Sequence, residues 1–360
     1  MFLTDALRSG VTVSDIESKY FIKTRRHGKY PNLVLFKYDQ ISSPMGDPLV
    51  QEARGIILDE ANNWAVVARP FDKFFNAEEG YAAEIDWSTA RFFEKLDGSI
   101  CTVYYYGGEW HVATSGTPDA ASQVNDYGFS FAELFWKVFY ANGYKVPEDK
   151  NVCLMFELMT PYNRVVVRHD FNRLVLIGAR DLTSMLEVSV DNVSGYETVR
   201  SFDLTSLSAA VASFKEINPL NQEGYVVVDA KFNRIKVKHP GYVALHHMKS
   251  GMSMRRILEV VRAGEVSEVI AHFPEYSDAI NKVQAAIDTL RSTVAADYER
   301  CKHETDRKAF AMLATKTAYP DALFSIFSKK ASSADDWVAN LRNESLYDRL
   351  GLKESKEEVQ

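Results

Sequence analysis

The sequence has 360 residues, of which 46% are hydrophobic, 25% charged and 12% aromatic, which excludes disordered and collagen-like chains and allows one large domain plus a smaller one. The formal net charge of −7 excludes a globally basic surface that coats nucleic acid without selectivity, but leaves room for a local basic groove. Cys101, Cys153 and Cys301 form no C-x-x-C pair and suggest neither a zinc site nor a disulfide framework, as suits a reducing cytoplasm.

The opening segment MFLTDALRSG lacks a basic stretch followed by a long apolar core, and no apolar run approaches the ~20 residues needed to cross a bilayer. The expectation is a cytoplasmic protein, neither exported nor membrane-spanning. KTRRHGK, residues 23–29, places five basic residues within seven beside the strand-like LVLFKY. It reads first as a solvated loop and second as a basic groove.

From about residue 30 to 245 the pattern is short strands separated by turn signals. ARGIIL and WAVVARP flank DEANN, SICTVYYY and EWHVATS flank Gly107-Gly108, and EGYVVVD and RIKVKH flank AKFN, so each pair predicts an antiparallel hairpin. NVCLMFEL and RLVLIGARDL are two further strands across TPYNR. SFAELFWKVFYANG and LTSLSAAVASFKE have helical spacing and are expected to pack on the sheets. Antiparallel sheet with packed helices makes this an α+β domain.

After His239-Pro240-Gly241 the strand pattern does not return. Apolar residues recur every three or four positions: Ile257, Val260 and Val261 behind a Ser253 cap, then Ile280, Val283, Ile287, Leu290 and Val294, then Phe310 and Leu313, then Trp337 and Leu341. The expected division is residues 1–245 and an all-α C-terminal domain, 246–360, ending in a frayed charged tail, KESKEEVQ.

Chemistry centres on FFEKLDGSI, residues 92–100. Read alone, KLDGS is a turn between two strands, with Asp97-Gly98 supplying the backbone geometry and Lys95 solvated. The competing reading notes that a lysine among Phe92, Phe93, Leu96 and Ile100 is partly desolvated. Desolvation lowers an ammonium pKa and frees the amine as a nucleophile. K-x-D-G-S arises by chance in roughly one chain in a hundred of this length, so the motif alone leaves both readings open.

Its neighbours come in a set order. Arg54-Gly55 starts a strand upstream; downstream come Phe156-Glu157-Leu158 at a strand end, Glu223-Gly224 at a strand start, and Lys236-x-Lys238 on the strand after it. Together they resemble the nucleotidyltransferase motifs of the covalent superfamily of ATP-dependent ligases and mRNA capping enzymes. The serine after Asp-Gly, the runs ARPFDKFFN and FELMTPYNR, and the K-x-K-x-x-x-Y spacing of Lys236, Lys238 and Tyr242 resemble one branch, the bacteriophage RNA ligase 1 type of tRNA repair. The resemblance covers roughly residues 30–245 and implies an antiparallel-sheet adenylyltransferase domain.

It also implies the chemistry. Lys95 would attack the α-phosphorus of ATP and expel pyrophosphate; an RNA 5'-phosphate would then take the AMP, and a 3'-hydroxyl would displace it. Each step is an in-line displacement at phosphorus, helped by positioning and charge neutralisation. Lys236 and Lys238, two apart on a strand, share a face and are placed to reach phosphates, although a solvated strand face is the other reading of that pair. Hard cations such as Mg²⁺ or Mn²⁺ need oxygen ligands, and the resemblance implies that Glu157 contacts the nucleotide ribose or helps organise the metal, and that Glu223 supports the metal or its bound waters. Glu157 sits in so apolar a run, LMFELM, that its charge needs a partner.

For the nucleotide, the resemblance implies Tyr38, Arg54 and Lys73, with Phe75 packing nearby and Gly98 in the lysine loop. The backbone at Glu94 and the side chain of Ile177 are expected to border the adenine, and Tyr242 is grouped with the nucleotide contacts. One departure stands out: the family has a lysine before the glycine that follows the second hairpin strand, where this chain has Ser115 before Gly116. A phosphate contact is then missing, or supplied by another cation.

The implied partner is single-stranded RNA or the ends of a nicked tRNA anticodon loop, met by a monomer in the cytoplasm, a host's if the gene is a phage's. DNA ligases and RNA capping guanylyltransferases are the sister readings, but they follow the paired-lysine strand with a barrel of short strands. A non-catalytic RNA-binding module is the third, and it would be expected to have lost one of these side chains.

Overall fold

The computed structural model describes residues 1–40, 42–249, 253–262, 264, 266–272 and 274–352, and falls into two compact units, Met1–His246 and His247–Gln360. The expected tail, residues 353–360, lies outside the described residues.

The first unit opens with helices α1 (Phe2–Arg8) and α2 (Val13–Tyr20), the second started by a Thr12–Asp15 capping box. An antiparallel sheet in sequential order follows: β1 (Ile22–Arg26), β2 (Leu33–Tyr38), β3 (Arg54–Asp59) and β4 (Ala65–Ala68), with helix α3 (Pro48–Glu52) before β3. The basic run 23–29, expected as a loop, thus supplies most of a strand. β1 lies at the sheet edge, where cations remain solvated and discourage pairing with another chain. LVLFKY is apolar almost throughout because β2 is covered on both faces. Val34 and Phe36 pack with Leu3, Leu7 and Ile16, whereas Leu33 and Leu35 pack with Phe71, Tyr104 and Met155.

The remaining strands are β5 (Arg91–Lys95), β6 (Ser99–Tyr106), β7 (Glu109–Thr114), β8 (Val152–Met159), β9 (Arg173–Asp181), β10 (Glu187–Val188), β11 (Ser201–Phe202), β12 (Gly224–Val228) and β13 (Arg234–Lys238). They pair into a five-stranded sheet ordered β10-β9-β8-β6-β7 and a four-stranded sheet ordered β11-β5-β12-β13. The hairpins β3–β4, β6–β7 and β12–β13 form as their sequences predict. Gly107 and Gly108 turn the second with φ of +59° and +93°, the left-handed pair that a two-residue hairpin loop demands.

Helix α4 (Phe131–Ala141), opened by a Ser130–Glu133 capping box, lays Phe135, Val138 and Phe139 on Leu154, Phe156 and Leu176 of the five-stranded sheet. Helix α5 (Leu207–Ser213) packs Ala210 against Phe92, Val227 and Ile235 of the four-stranded sheet. Helix α6 (Pro240–Lys249) follows β13 after His239.

The second unit is helical among the described residues: α7 (Met254–Arg262), α8 (Val266–His272), α9 (Ser277–Cys301), α10 (Arg307–Ala314), α11 (Pro320–Phe327), α12 (Ala334–Ala339) and α13 (Asn343–Arg349). The stripe Ile280, Val283, Ile287, Leu290 and Val294 of α9 is buried, with Ile257, Phe310 and Trp337 in the same core. Leu313, expected on the inward face of α10, is exposed; Ala314, four residues after Phe310, takes that position. Among the described residues no helix is long and apolar enough to cross a membrane.

Candidate active site

Lys95 is the last residue of β5, and Ser99 the first of β6. These strands belong to different sheets, so Leu96-Asp97-Gly98 carries the chain from one sheet to the other rather than closing a hairpin. Lys95 therefore lies across from Gly224, next to Glu223, while Ile100 lies across from Glu157 on β8. One short crossover sets an amine between two carboxylates from two sheets.

Three anchors hold the crossover. The Asp97 carboxylate accepts from the Val166 and Val167 N–H groups (2.8 and 2.6 Å) and from the Tyr242 hydroxyl (2.8 Å), all buried. The Asp97 carbonyl accepts from His169 Nε2 at 2.7 Å. Asn163, ending the run FELMTPYN, donates to Ser99 Oγ (2.9 Å) and to the Leu158 carbonyl (2.8 Å). Gly98 is required by proximity: a Cβ there would lie 2.4 Å from the Leu158 carbonyl oxygen.

Lys95 Nζ lies 2.5 Å from Glu223 Oε2, and Lys238 Nζ lies 3.9 Å from Glu223 Oε1. On β13 the side chains of Arg234, Lys236 and Lys238 share the half-open face while Ile235 and Val237 are buried. PFDKFFN runs beside this strand: the Phe75 carbonyl accepts from Lys236 N–H (2.8 Å) and Ala77 N–H donates to the Lys236 carbonyl (2.9 Å). The Phe74 ring carries the Arg54 guanidinium at 5.0 Å and the Lys236 amine at 4.8 Å from its centroid.

A cavity of about 480 Å³ opens between the four- and five-stranded sheets. Arg54, Glu94, Lys95, Gly98, Glu157 and Lys236 line it, with an apolar wall that includes Phe74, Phe93, Ile177 and Val226. The Glu94 N–H is already bonded to the Arg200 carbonyl at 2.8 Å. Tyr38 and Arg54 border an adjoining cavity. Lys73, Phe75, Glu223, Lys238 and Tyr242 line neither. Of these, Glu223 and Lys238 reach the site through their ion pairs; Lys73 lies 5.3 Å from the Tyr38 ring and 5.1 Å from the Phe75 ring, and Phe75 is buried. Tyr242, grouped with nucleotide contacts from its spacing, is buried with its hydroxyl committed to Asp97.

The electrostatics follow from crowding. Burial pushes the Glu157 carboxyl up to about 8; Lys95 and Arg54 pull it down, while Glu223 and Asp97 push it further up. Burial pulls the Lys236 amine well below its ordinary value, and Lys73, Arg54, Lys95 and Lys238 add repulsion. A cluster with so many cations and so few counter-charges is suited to a polyanion. Among the described residues no group of three or more acidic, histidine or cysteine side chains is arranged to hold a metal ion.

Asn163, His169 and Arg234 escape the sequence reading, which gave Asp97 a turn and not the anchoring that its carboxylate provides. Arg234 was legible, since it continues the two-residue period of Lys236 and Lys238. The others are joined only by folding.

The family model for RNA ligase matches residues 52–242, which include every side chain described above except Tyr38. The chain belongs to the RNA ligase family. Among curated members of this kind it is 26% identical over 345 residues to an RNA ligase of Rhodothermus phage RM378, covering 72% of this chain and 77% of that one. It is 25% identical over 305 residues to a protein of Autographa californica nuclear polyhedrosis virus named as a bifunctional polynucleotide kinase/RNA ligase. That match covers 77% of this chain but only 42% of the viral protein's length. Among solved structures, an archaeal ATP-dependent RNA ligase aligns over 96% of both chains at 13% identity with a TM-score of 0.44, a likeness too distant to bear on function.

Proposed function

We propose that this RNA ligase family member seals a 5'-phosphate to a 3'-hydroxyl of RNA at the expense of ATP, through AMP carried on Lys95. The observation that carries the reading is the convergence on one cavity of the Lys95 amine, the Glu157 carboxylate and the Arg54 and Lys236 cations beside an apolar wall, with Glu223 and Lys238 joined to that amine through ion pairs. The Lys95 amine would lose its proton, attack the α-phosphorus and expel pyrophosphate. Arg54 and Lys236 would bear the phosphate charge, while Ile177 and Phe93 would face the base.

Glu157 and Glu223 are the carboxylates that would hold a Mg²⁺ or Mn²⁺ here, hard cations that prefer oxygen ligands. Such an ion supplies charge neutralisation on the reacting phosphate.

Tyr38 and Lys73 are assigned to the outer part of the nucleotide, and Phe75 and Tyr242 to support: Phe75 by holding Lys236 from its carbonyl, Tyr242 by holding Asp97. Residues 1–245 are read as the adenylyltransferase and the helical remainder as an aid to substrate selection, with single-stranded RNA or broken anticodon-loop ends as substrate. That last reading rests on the resemblance of the motifs to tRNA-repair ligases. The deciding experiment is incubation with labelled ATP and Mg²⁺, then denaturing electrophoresis, followed by circularisation of 5'-phosphorylated RNA against DNA of the same sequence. Absence of acid-labile AMP on the protein, or a label taken only from GTP, overturns the reading.

A further inference from the structure

A second cavity, of about 440 Å³, adjoins the first and shares Arg54 and Ile100 with it. Lys23, Lys37, Tyr38, Asp39, Gln40 and Ser115 complete its walls. Two of its three cations are spoken for: Lys23 pairs with Asp39 at 2.6 Å and is largely exposed, and Arg54 rests on Phe74. Lys37, on β2, makes no side-chain hydrogen bond or ion pair among the described residues. Burial, with repulsion from Lys23 and Arg54, pulls its amine below the ordinary value, while Asp39 opposes this. A half-buried amine facing a cavity, whose nearest carboxylate is already paired with Lys23, is stabilised by an anion.

The turn after β7 brings Ser115 to the same wall, with Gly116 next to it in the chain. A Cβ built on Gly116 would lie 3.8 Å from Lys37 Nζ, and one on Gly55, next to Arg54, would lie 3.3 Å from the Ser115 Cα. The position where the resembling family carries a lysine is thus uncharged here, while a lysine from another strand places its amine over the adjacent glycine.

We propose that Lys37 binds the outer phosphates of the nucleoside triphosphate, supplying from β2 the cation that Ser115 does not. The inference rests on the adenylyl-transfer reading of the adjoining cavity. In it, pyrophosphate departs on the side of Arg54, the cation common to both cavities.

The test measures the ATP dependence of single-turnover AMP transfer to the full-length protein, and separately the sealing of chemically pre-adenylylated RNA, which needs no triphosphate. Lys37→Met is expected to raise the ATP concentration for half-maximal transfer about tenfold or more, the size of one lost charge-assisted contact, with sealing reduced much less. Lys37→Ser combined with Ser115→Lys is expected to recover most of the loss, which a merely destabilised fold would not do. An unchanged ATP curve overturns the proposal. So does an equal loss in both assays, which would place an RNA phosphate or a structural role at Lys37, and so does failure of the charge transplant in a folded double variant. If the wild type takes up no AMP, the adenylyl-transfer reading itself falls; labelled wild type with an unaltered Lys37→Met curve removes only the role of Lys37.

Discussion

Lys95 Nζ and Glu223 Oε2 lie 2.5 Å apart, with the carboxylate buried and the amine one-fifth exposed. In this arrangement the amine is tied to a carboxylate, and it must leave that partner before its lone pair can attack phosphorus. Lys95→Ala and Lys95→Arg are both expected to abolish AMP transfer, the second because a guanidinium keeps its proton. Labelled ATP and denaturing electrophoresis check this; equal labelling of either variant refutes it.

Glu223→Gln keeps the shape and removes the charge that holds Lys95 and faces Lys238. The expected outcome is AMP transfer slowed at least tenfold with the protein folded, and a weaker response to added Mg²⁺. Metal titrations of wild type and variant, run at saturating ATP, measure both effects.

Glu157 yields a pH dependence of stability. Burial pushes its folded pKa up to about 8, from the 4.5 of an ordinary glutamate. The folded state therefore holds a proton that the unfolded chain releases, and stability at this site falls as pH rises from about 4.5 to 8, then levels. Glu157→Gln, always neutral, is expected to match wild type near pH 5 and to exceed it progressively up to pH 8, by a few kcal/mol at most. Urea unfolding of nucleotide-free protein across that range decides; a gap that is constant with pH refutes it.

Gly98 and Leu158 are in such close approach that the glycine cannot acquire a side chain without moving β8. A Cβ at residue 98 would lie 2.4 Å from a backbone oxygen, which cannot rotate away. Since β8 also carries Glu157, Gly98→Ala is expected to reduce AMP transfer more than tenfold and to lower the unfolding midpoint. Kinetics and thermal melts on the same preparation test both.

Asp97 and Tyr242 join the lysine crossover to the start of α6. Tyr242→Phe removes one of three donors to a buried carboxylate, a loss on the order of 1–3 kcal/mol. Hydrogen exchange at the Val166 and Val167 amides, which donate to the same carboxylate, is expected to quicken in that variant. Unchanged exchange would mean that Tyr242 does not hold the latch.

Much of this was legible along the chain because local physics writes it there. Alternating and continuous apolar runs, Gly107-Gly108 and the three-and-four spacing after residue 245 specify strands, a hairpin and helices through short-range sterics and burial. The ordered motifs mark Arg54, Lys95, Glu157, Glu223 and the paired lysines of β13. Tertiary structure alone decided that KLDGS crosses between two sheets, that residues 23–26 of the basic run lie in an edge strand, and that Tyr242 serves Asp97. It also brought Lys37 beside Ser115, some eighty residues away in sequence. Strand partners are chosen by how whole sheets bury their faces, and a burial shared by segments far apart in sequence leaves no periodic trace in any one of them.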